Sequence, residues 1–166
     1  MNVVAICGSL RAQSSNLRLL NKCIELAPPG MSIDIYTGLG DLPHFNPDLD
    51  VDEPPPIVRA LRNQLASAAG IIISSPEYAH GVPGSLKNGL DWLVSAGELV
   101  GKPLLLLNAS LGGEYAQAAL VETLKTMNWN VLVEASLLAP FAHKRMEDPE
   151  LHAQLRRALE ALRDAS

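Results

Sequence analysis

Residues 5–16 read AICGSLRAQSSN. An apolar run that starts just after Met1 stops at Gly8, and Ser9, Arg11, Ser14, Ser15 and Asn16 follow within the next eight positions. The first part (residues 2–6) has the β-branched, apolar character of a short strand. The second leads into residues 15–27, where Leu17, Leu20, Ile24 and Ala27 recur at helical spacing. This unit of strand, polar loop and helix then repeats along the chain. Further strands are expected at 32–37 (SIDIYT), 70–75 (GIIISS), 103–109 (PLLLLNA) and 130–136 (NVLVEAS), and helices at 56–68, 83–96, 114–127 and 149–164. In the helix at 83–96, Leu86, Leu90, Leu93 and Val94 are expected along one side. Residues 38–56, dense in Pro, Gly and Asp, are expected to form a loop. Continuous apolar runs at 71–73 and 104–107 suit strands buried on both faces, as inside a parallel sheet. Five strands alternating with five helices therefore predict an α/β fold: a three-layer sandwich with a five-stranded parallel sheet and helices on both faces. With no repeat, low-complexity tract or linker in view, one domain spanning 1–166 is expected.

The composition narrows the function classes. Of 166 residues, 48% are hydrophobic and 19% charged, which is globular rather than disordered. A net charge of −5 argues against a broad basic face for nucleic acid. The longest apolar runs are far short of the roughly 20 residues that span a bilayer, so no membrane segment is expected. The N-terminus has neither a basic region nor a long apolar run before a small-residue cleavage site, so no signal peptide is expected. Cys7 and Cys23 do not form a close pair, which suggests free thiols and a reducing, cytoplasmic setting. His44, His80, His143 and His152 lack metal-ligand spacing, and no metal is expected.

In open parallel sheets, ligands bind beyond the carboxyl ends of the strands. That rule selects the loops at 8–16, 74–83 and 108–115, all rich in Ser, Gly, Asn or Pro. The first is composed like an anion site. A helix start presents unpaired N–H groups and a positive dipole end. Ser9, Ser14, Ser15 and Asn16 add short polar groups, and Arg11 adds a forked permanent charge suited to phosphate. The simpler alternative is that one serine caps the helix and Arg11 is solvated. The loop has neither the G-x-x-x-x-G-K-[ST] nor the G-x-G-x-x-G pattern, so a nucleoside triphosphate or a dinucleotide pyrophosphate is disfavoured there. A small, hydroxyl-rich site suits one terminal phosphate monoester, as carried by FMN, which flavodoxin-like sheets bind at the end of the first strand.

GSLRAQSSN (8–16) together with PEYAHGVPGSLKNGLDW (76–92) resembles the NADPH-dependent FMN reductase family, which includes quinone, chromate and azo-dye reductases. The resemblance runs over nearly the whole chain and implies a flavodoxin-like fold. It implies FMN as cofactor, NADPH or NADH as electron donor, and a small-molecule acceptor such as a quinone. The open look of PEYAHGVPG and the lack of a second nucleotide fingerprint lead to the further expectation that donor and acceptor visit in turn, by a ping-pong cycle. By resemblance, Ser9, Arg11, Ser14 and Asn16 hold the FMN phosphate, with Ser15 beside them. Pro76, Glu77, Tyr78 and Ala79 run along the isoalloxazine ring, largely through backbone groups, and Ser110 lies near the flavin. Ala79 stands where the family usually has Asn, and Tyr115 where a cation often follows the glycines of the third loop. A homodimer or homotetramer is implied, and no side chain is assigned an obligate catalytic proton.

Other readings of the same residues stay open. NASLG (108–112) approximates a nucleophile elbow, and Ser110, Glu134 and His143 fall in the chain order of a hydrolase triad, though no oxyanion-loop motif is visible. A flavodoxin-like electron carrier without its own turnover is a third possibility. Such carriers enclose the ring with aromatic side chains, whereas this chain is 4% aromatic. Trp92 is expected in the core and Cys7 as a buried, inert thiol. Lys87, Asn88 and Asp91 are expected either as a solvated face or as support for the second loop or a subunit interface.

Overall fold

The computed structural model describes Met1–Ser166. Strands β1 (Asn2–Cys7), β2 (Ser32–Tyr36), β3 (Gly70–Ser74) and β4 (Pro103–Asn108) alternate with helices α1 (Ser15–Leu26), α2 (Pro56–Ser67) and α3 (Gly84–Asp91). Helix α4 (Glu114–Thr126), two short strands β5 (Asn130–Val131) and β6 (Leu137–Leu138), and helix α5 (Pro149–Asp164) complete the chain. The sheet is parallel throughout, in the order β2-β1-β3-β4-β5, with β6 also on β4. It is the expected flavodoxin-like α/β arrangement. Strand order reverses direction between β1 and β3, where the carboxyl ends open a crevice.

The period of two along each strand sorts the core into two halves. Val4, Ile6, Ile71, Ile73, Leu104 and Leu106 face one side, against α2, α3 and α4. Val3, Ala5, Ile72, Leu105 and Leu107 face the other, against α1 and α5. Ile71, Ile72 and Ile73 are wholly buried, each burial contributing about 1.5–3 kcal/mol.

The fifth strand departs from the expectation at 130–136. A 3₁₀ turn at Val133–Ala135 divides it, so β5 pairs with Pro103–Leu104 and β6 with Leu107–Asn108. Between them a side chain takes the place of the strand backbone. The Leu106 N–H donates to Ser136 Oγ at 3.0 Å, and that hydroxyl donates to the Leu132 carbonyl at 2.8 Å.

Helix α3 ends at Asp91 rather than at 96. Arg62 of α2 reaches its end, donating from Nε to the Trp92 carbonyl at 3.0 Å and from Nη2 to Asp50 at 2.7 Å. Val94, expected to face the core, is 64% exposed, whereas Trp92 is fully buried. The buried face of α1 is also rotated from the expected one: Leu19, Leu20 and Cys23 are inside and Ile24 is 41% exposed. The expected loop at 38–56 contains 3₁₀ turns at Gly38–Asp41 and Pro47–Leu49. Asn88 and Trp92 pin this segment: Asn88 Oδ1 accepts from the Phe45 N–H, and both Asn88 Nδ2 and Trp92 Nε1 donate to the Pro43 carbonyl. Asn88 is thus a support for the neighbouring loop, while Lys87 and Asp91 pair with each other on the solvent side.

Candidate functional site

The loops that follow β1, β3 and β4 converge because their strands are neighbours. Gly8 extends the ladder, donating its N–H to the Ser74 carbonyl at 2.8 Å. A Cβ at Gly8 would lie 2.6 Å from Ser75 Oγ and 3.0 Å from Ser75 Cβ, so the Ser75 side chain occupies the space that glycine leaves. Asn16 joins all three loops from the first turn of α1. It is 3% exposed, and its Oδ1 accepts from Ser74 Oγ at 2.9 Å and from the Ala109 N–H at 3.0 Å. Ser14 caps α1, its Oγ accepting from the Asn16 N–H at 3.2 Å. For Ser14 the capping alternative therefore holds, and the same residue lines the cavity described next.

A cavity of about 260 Å³ opens at this point. Ser9, Arg11, Ser14, Ser15 and Asn16 line it from the first loop, Pro76 and Tyr78 from the second, and Ser110 from the third. Eight of the ten residues singled out from the sequence thus meet at one site. The Arg11 backbone N–H donates to Ser9 Oγ at 3.3 Å, but its guanidinium makes no ion pair within the chain. No carboxylate lines the cavity. An unpaired guanidinium, hydroxyls and a helix start with no opposing negative charge form a cradle for an anion. Ser9 Oγ and Tyr78 Oη lie 3.4 Å apart and link the first loop to the second. Cys7, below this loop, donates its thiol to the Ser9 carbonyl; it is partly rather than wholly buried, and that burial raises its pKa above the ordinary value.

Glu77 and Ala79 lie outside the cavity lining. The Glu77 side chain turns to α4, its Oε2 accepting from the Ala116 N–H at 2.9 Å. Helix α4 starts at Gly113, which has no capping side chain, so Glu77 satisfies a helix N–H from another loop. Ala79 sits in a tight turn closed by mutual hydrogen bonds between Tyr78 and Gly81 at 3.0 and 2.9 Å. Both central residues are left-handed, Ala79 at φ 49° and His80 at φ 58°. Such turns favour Asn and Gly because other residues are strained at positive φ. The Asn of the family pattern at this position therefore has a backbone rationale. The His80 ring stacks on Tyr115, with centroids 4.3 Å apart and planes 17° from parallel. Tyr115 thus clasps the second loop to α4.

Sequence reasoning missed two features of the site. The clasp through Glu77, His80 and Tyr115 carries no local signal. His143 also lines the cavity, with Ala109 and Leu111. It arrives from the loop after β6, and the one available hint was topological: in a parallel sheet every loop after a strand emerges at the same edge. The hydrolase alternative is not assembled. Ser110 and His143 share the cavity, but Glu134 lines a separate groove with Gln154 and Arg157 against α5.

The profile described as NADPH-dependent FMN reductase matches residues 1–144. An NAD(P)H-dependent FMN reductase from Pseudomonas aeruginosa is 32% identical over 98% of this chain and 93% of its own length. A quinone reductase from Escherichia coli is 36% identical over 115 residues, 68% of this chain; the match spans 61% of that relative's length. Among solved structures, the flavoenzyme NAD(P)H:(acceptor) oxidoreductase from Paracoccus denitrificans superposes with a TM-score of 0.79 at 25% identity, covering 98% of this chain and 97% of that one.

Proposed function

The chain belongs to the NADPH-dependent FMN reductase family, and on that premise we propose that it is an FMN-dependent NAD(P)H oxidoreductase acting on a small acceptor such as a quinone. The observation that carries this reading is the cavity in which Arg11, unpaired, meets hydroxyls and the start of α1 with no carboxylate present. Ser9, Arg11, Ser14, Ser15 and Asn16 hold the FMN phosphate in this reading. Pro76, Tyr78 and Ser110 line its remaining path, and Glu77 and Ala79 shape the loop beside the ring. FMN held by these residues would supply the redox chemistry, hydride acceptance and electron donation. The protein's part is to bind and orient. Arg11 and the helix start neutralise the phosphate, Asn16 keeps the three loops in register, and the Glu77 and Tyr115 contacts hold the second loop against α4.

Tyr78 is 55% exposed and Tyr115 59% exposed, so the mouth is open to a second molecule. That openness favours direct turnover over an electron carrier, and it favours donor and acceptor visiting in turn. Exposed Leu111 and Phe141 offer apolar surface on which a homodimer or homotetramer would form. Two free thiols, Cys7 and Cys23, fit a cytoplasmic setting, and no helix is long and apolar enough to cross a membrane. Helix α5 lies beyond the family match but packs on α1, so residues 1–166 are read as one domain.

The test is to purify the protein, record its absorbance spectrum with added FMN, and assay NADPH and NADH oxidation with a quinone and no partner protein. A flavin spectrum and turnover with parallel double-reciprocal lines are expected. A flavin spectrum without turnover would instead identify a carrier. Intersecting lines would show that donor and acceptor bind together.

A further inference from the structure

The loop after β6 brings a residue to the cavity that the first three loops do not supply. Ala139 donates its N–H to the Asn108 carbonyl at 2.7 Å, which holds the chain at the carboxyl edge of β4. Phe141 then adopts a left-handed conformation, φ 58°, unusual for a bulky residue. The chain turns into a 3₁₀ segment, Ala142–Lys144, anchored by the wholly buried Ala142. This turn brings His143 into the lining of the cavity that Arg11, Ser14, Ser15 and Asn16 also line.

The charges nearby are distributed unevenly. Arg145 pairs with Asp148 at 2.7 Å, and Lys22 pairs with Glu25 at 2.6 Å and with Glu147 at 3.1 Å. Lys144 lies 5.6 Å from the centroid of the Phe141 ring. His143 has neither a hydrogen bond nor an ion pair from its ring, and in this it matches the Arg11 guanidinium on the same cavity. His143 is exposed to solvent, so what ties it to a ligand is its place: it shares the lining of one cavity with the Arg11 guanidinium and the hydroxyls of Ser9, Ser14 and Ser15, with no carboxylate among them.

We propose that His143 is a further binding residue of this site, donating a ring N–H to the phosphate of FMN alongside Arg11. The proposal rests on the FMN reading above. Imidazole can donate in either protonation state and adds a positive charge when protonated. Recognition of the phosphate then draws on the loops after β1 and β6.

Dissociation constants of FMN and riboflavin, measured by flavin fluorescence for the wild-type protein and for His143→Ala, His143→Gln and Arg11→Ala, test this directly. His143→Ala is expected to weaken FMN about tenfold and leave riboflavin unchanged. His143→Gln, which keeps a donor but no charge, should fall between. The phosphorus resonance of bound FMN should also move in His143→Ala. If His143→Ala binds FMN within twofold of wild type while Arg11→Ala is impaired, the role of His143 is overturned and the FMN site survives. If His143→Ala loses both ligands equally, its role is structural and the proposal fails. If the wild-type protein binds FMN and riboflavin alike, the phosphate cradle itself is wrong and both readings fall.

Discussion

The first loop (8–14) and the second (75–83) lie side by side over the same crevice, yet their shapes are held by different means. The first contains no left-handed residue. Its form follows from Gly8, from the Ser14 cap and from Asn16, which is buried beneath it. The second contains two consecutive left-handed residues, neither of them glycine, and is gripped from outside by α4 through Glu77 and Tyr115. The first loop is held by its own Ser14 cap and by Asn16, which anchors it to the ends of β3 and β4, whereas the second is clasped from the side by α4. The phosphate cradle proposed for the first loop would benefit from the former arrangement, since a fixed charge needs fixed donors. A loop at the open mouth can be adjusted by the element that clasps it.

Four substitutions probe this contrast, in order of expected effect. Asn16→Leu strikes the strut of the first loop. It leaves the Ser74 hydroxyl and the Ala109 N–H buried without their acceptor, each at about 1–3 kcal/mol. A stability loss of about 2–4 kcal/mol is expected in urea unfolding, and a change below about 0.5 kcal/mol would show that water replaces the strut.

Arg11→Ala leaves the fold alone and removes charge from the cradle. FMN affinity should fall about ten- to a hundredfold, equivalent to roughly 1.5–3 kcal/mol, with riboflavin affinity and melting temperature unchanged. An equal loss for both ligands would mean that Arg11 supports the loop rather than the phosphate.

Glu77→Ala opens the clasp on the second loop. It uncaps α4, which should cost about 1 kcal/mol. Because the loop is held from outside, hydrogen exchange should quicken at Tyr78–Gly81 more than at Ser9–Ser14. Equal acceleration of both loops would erase the distinction between them.

Ala79→Asn relaxes the turn instead. Asn adopts the left-handed region more readily, so a gain of about 0.5 kcal/mol is expected, visible as a rise of about 1–2 °C in Tm. FMN affinity should change by less than tenfold, because the residue acts through its backbone. A drop in Tm would show that the Ala79 methyl makes a contact that Asn cannot.

Much of this was legible along the chain because it is local. The apolar runs at 71–73 and 104–107 suited central strands, and Gly, Ser, Arg and Asn directly after β1 could be read as an anion loop. Trp92 was legible as core. The failures are equally instructive. NVLVEAS reads as one strand, but Ser136 Oγ competes for the Leu106 N–H and divides it. The pattern of 83–96 reads as one helix, but the Arg62 guanidinium takes the Trp92 carbonyl and ends it early. In α1 the expected face was turned because packing against both α5 and the sheet selects Leu19 and Cys23 over Ile24.

The sequence by itself determined the alternation of strands and helices, the parallel sheet and the polar loop after β1, since each rests on periodicity or on residues adjacent in the chain. Tertiary structure alone decided that Glu77 caps α4, that His80 lies on Tyr115 and that His143 reaches the wall of the first-loop cavity. Glu77 and Ala116 are 39 positions apart, and His143 joins Ser14 in lining one cavity because β6 lies on β4. Hydrophobic periodicity reports which face of an element is buried. It does not report which polar atom from another element will meet an unsatisfied N–H or line a cavity, because that pairing is set by where the packed elements place their loops.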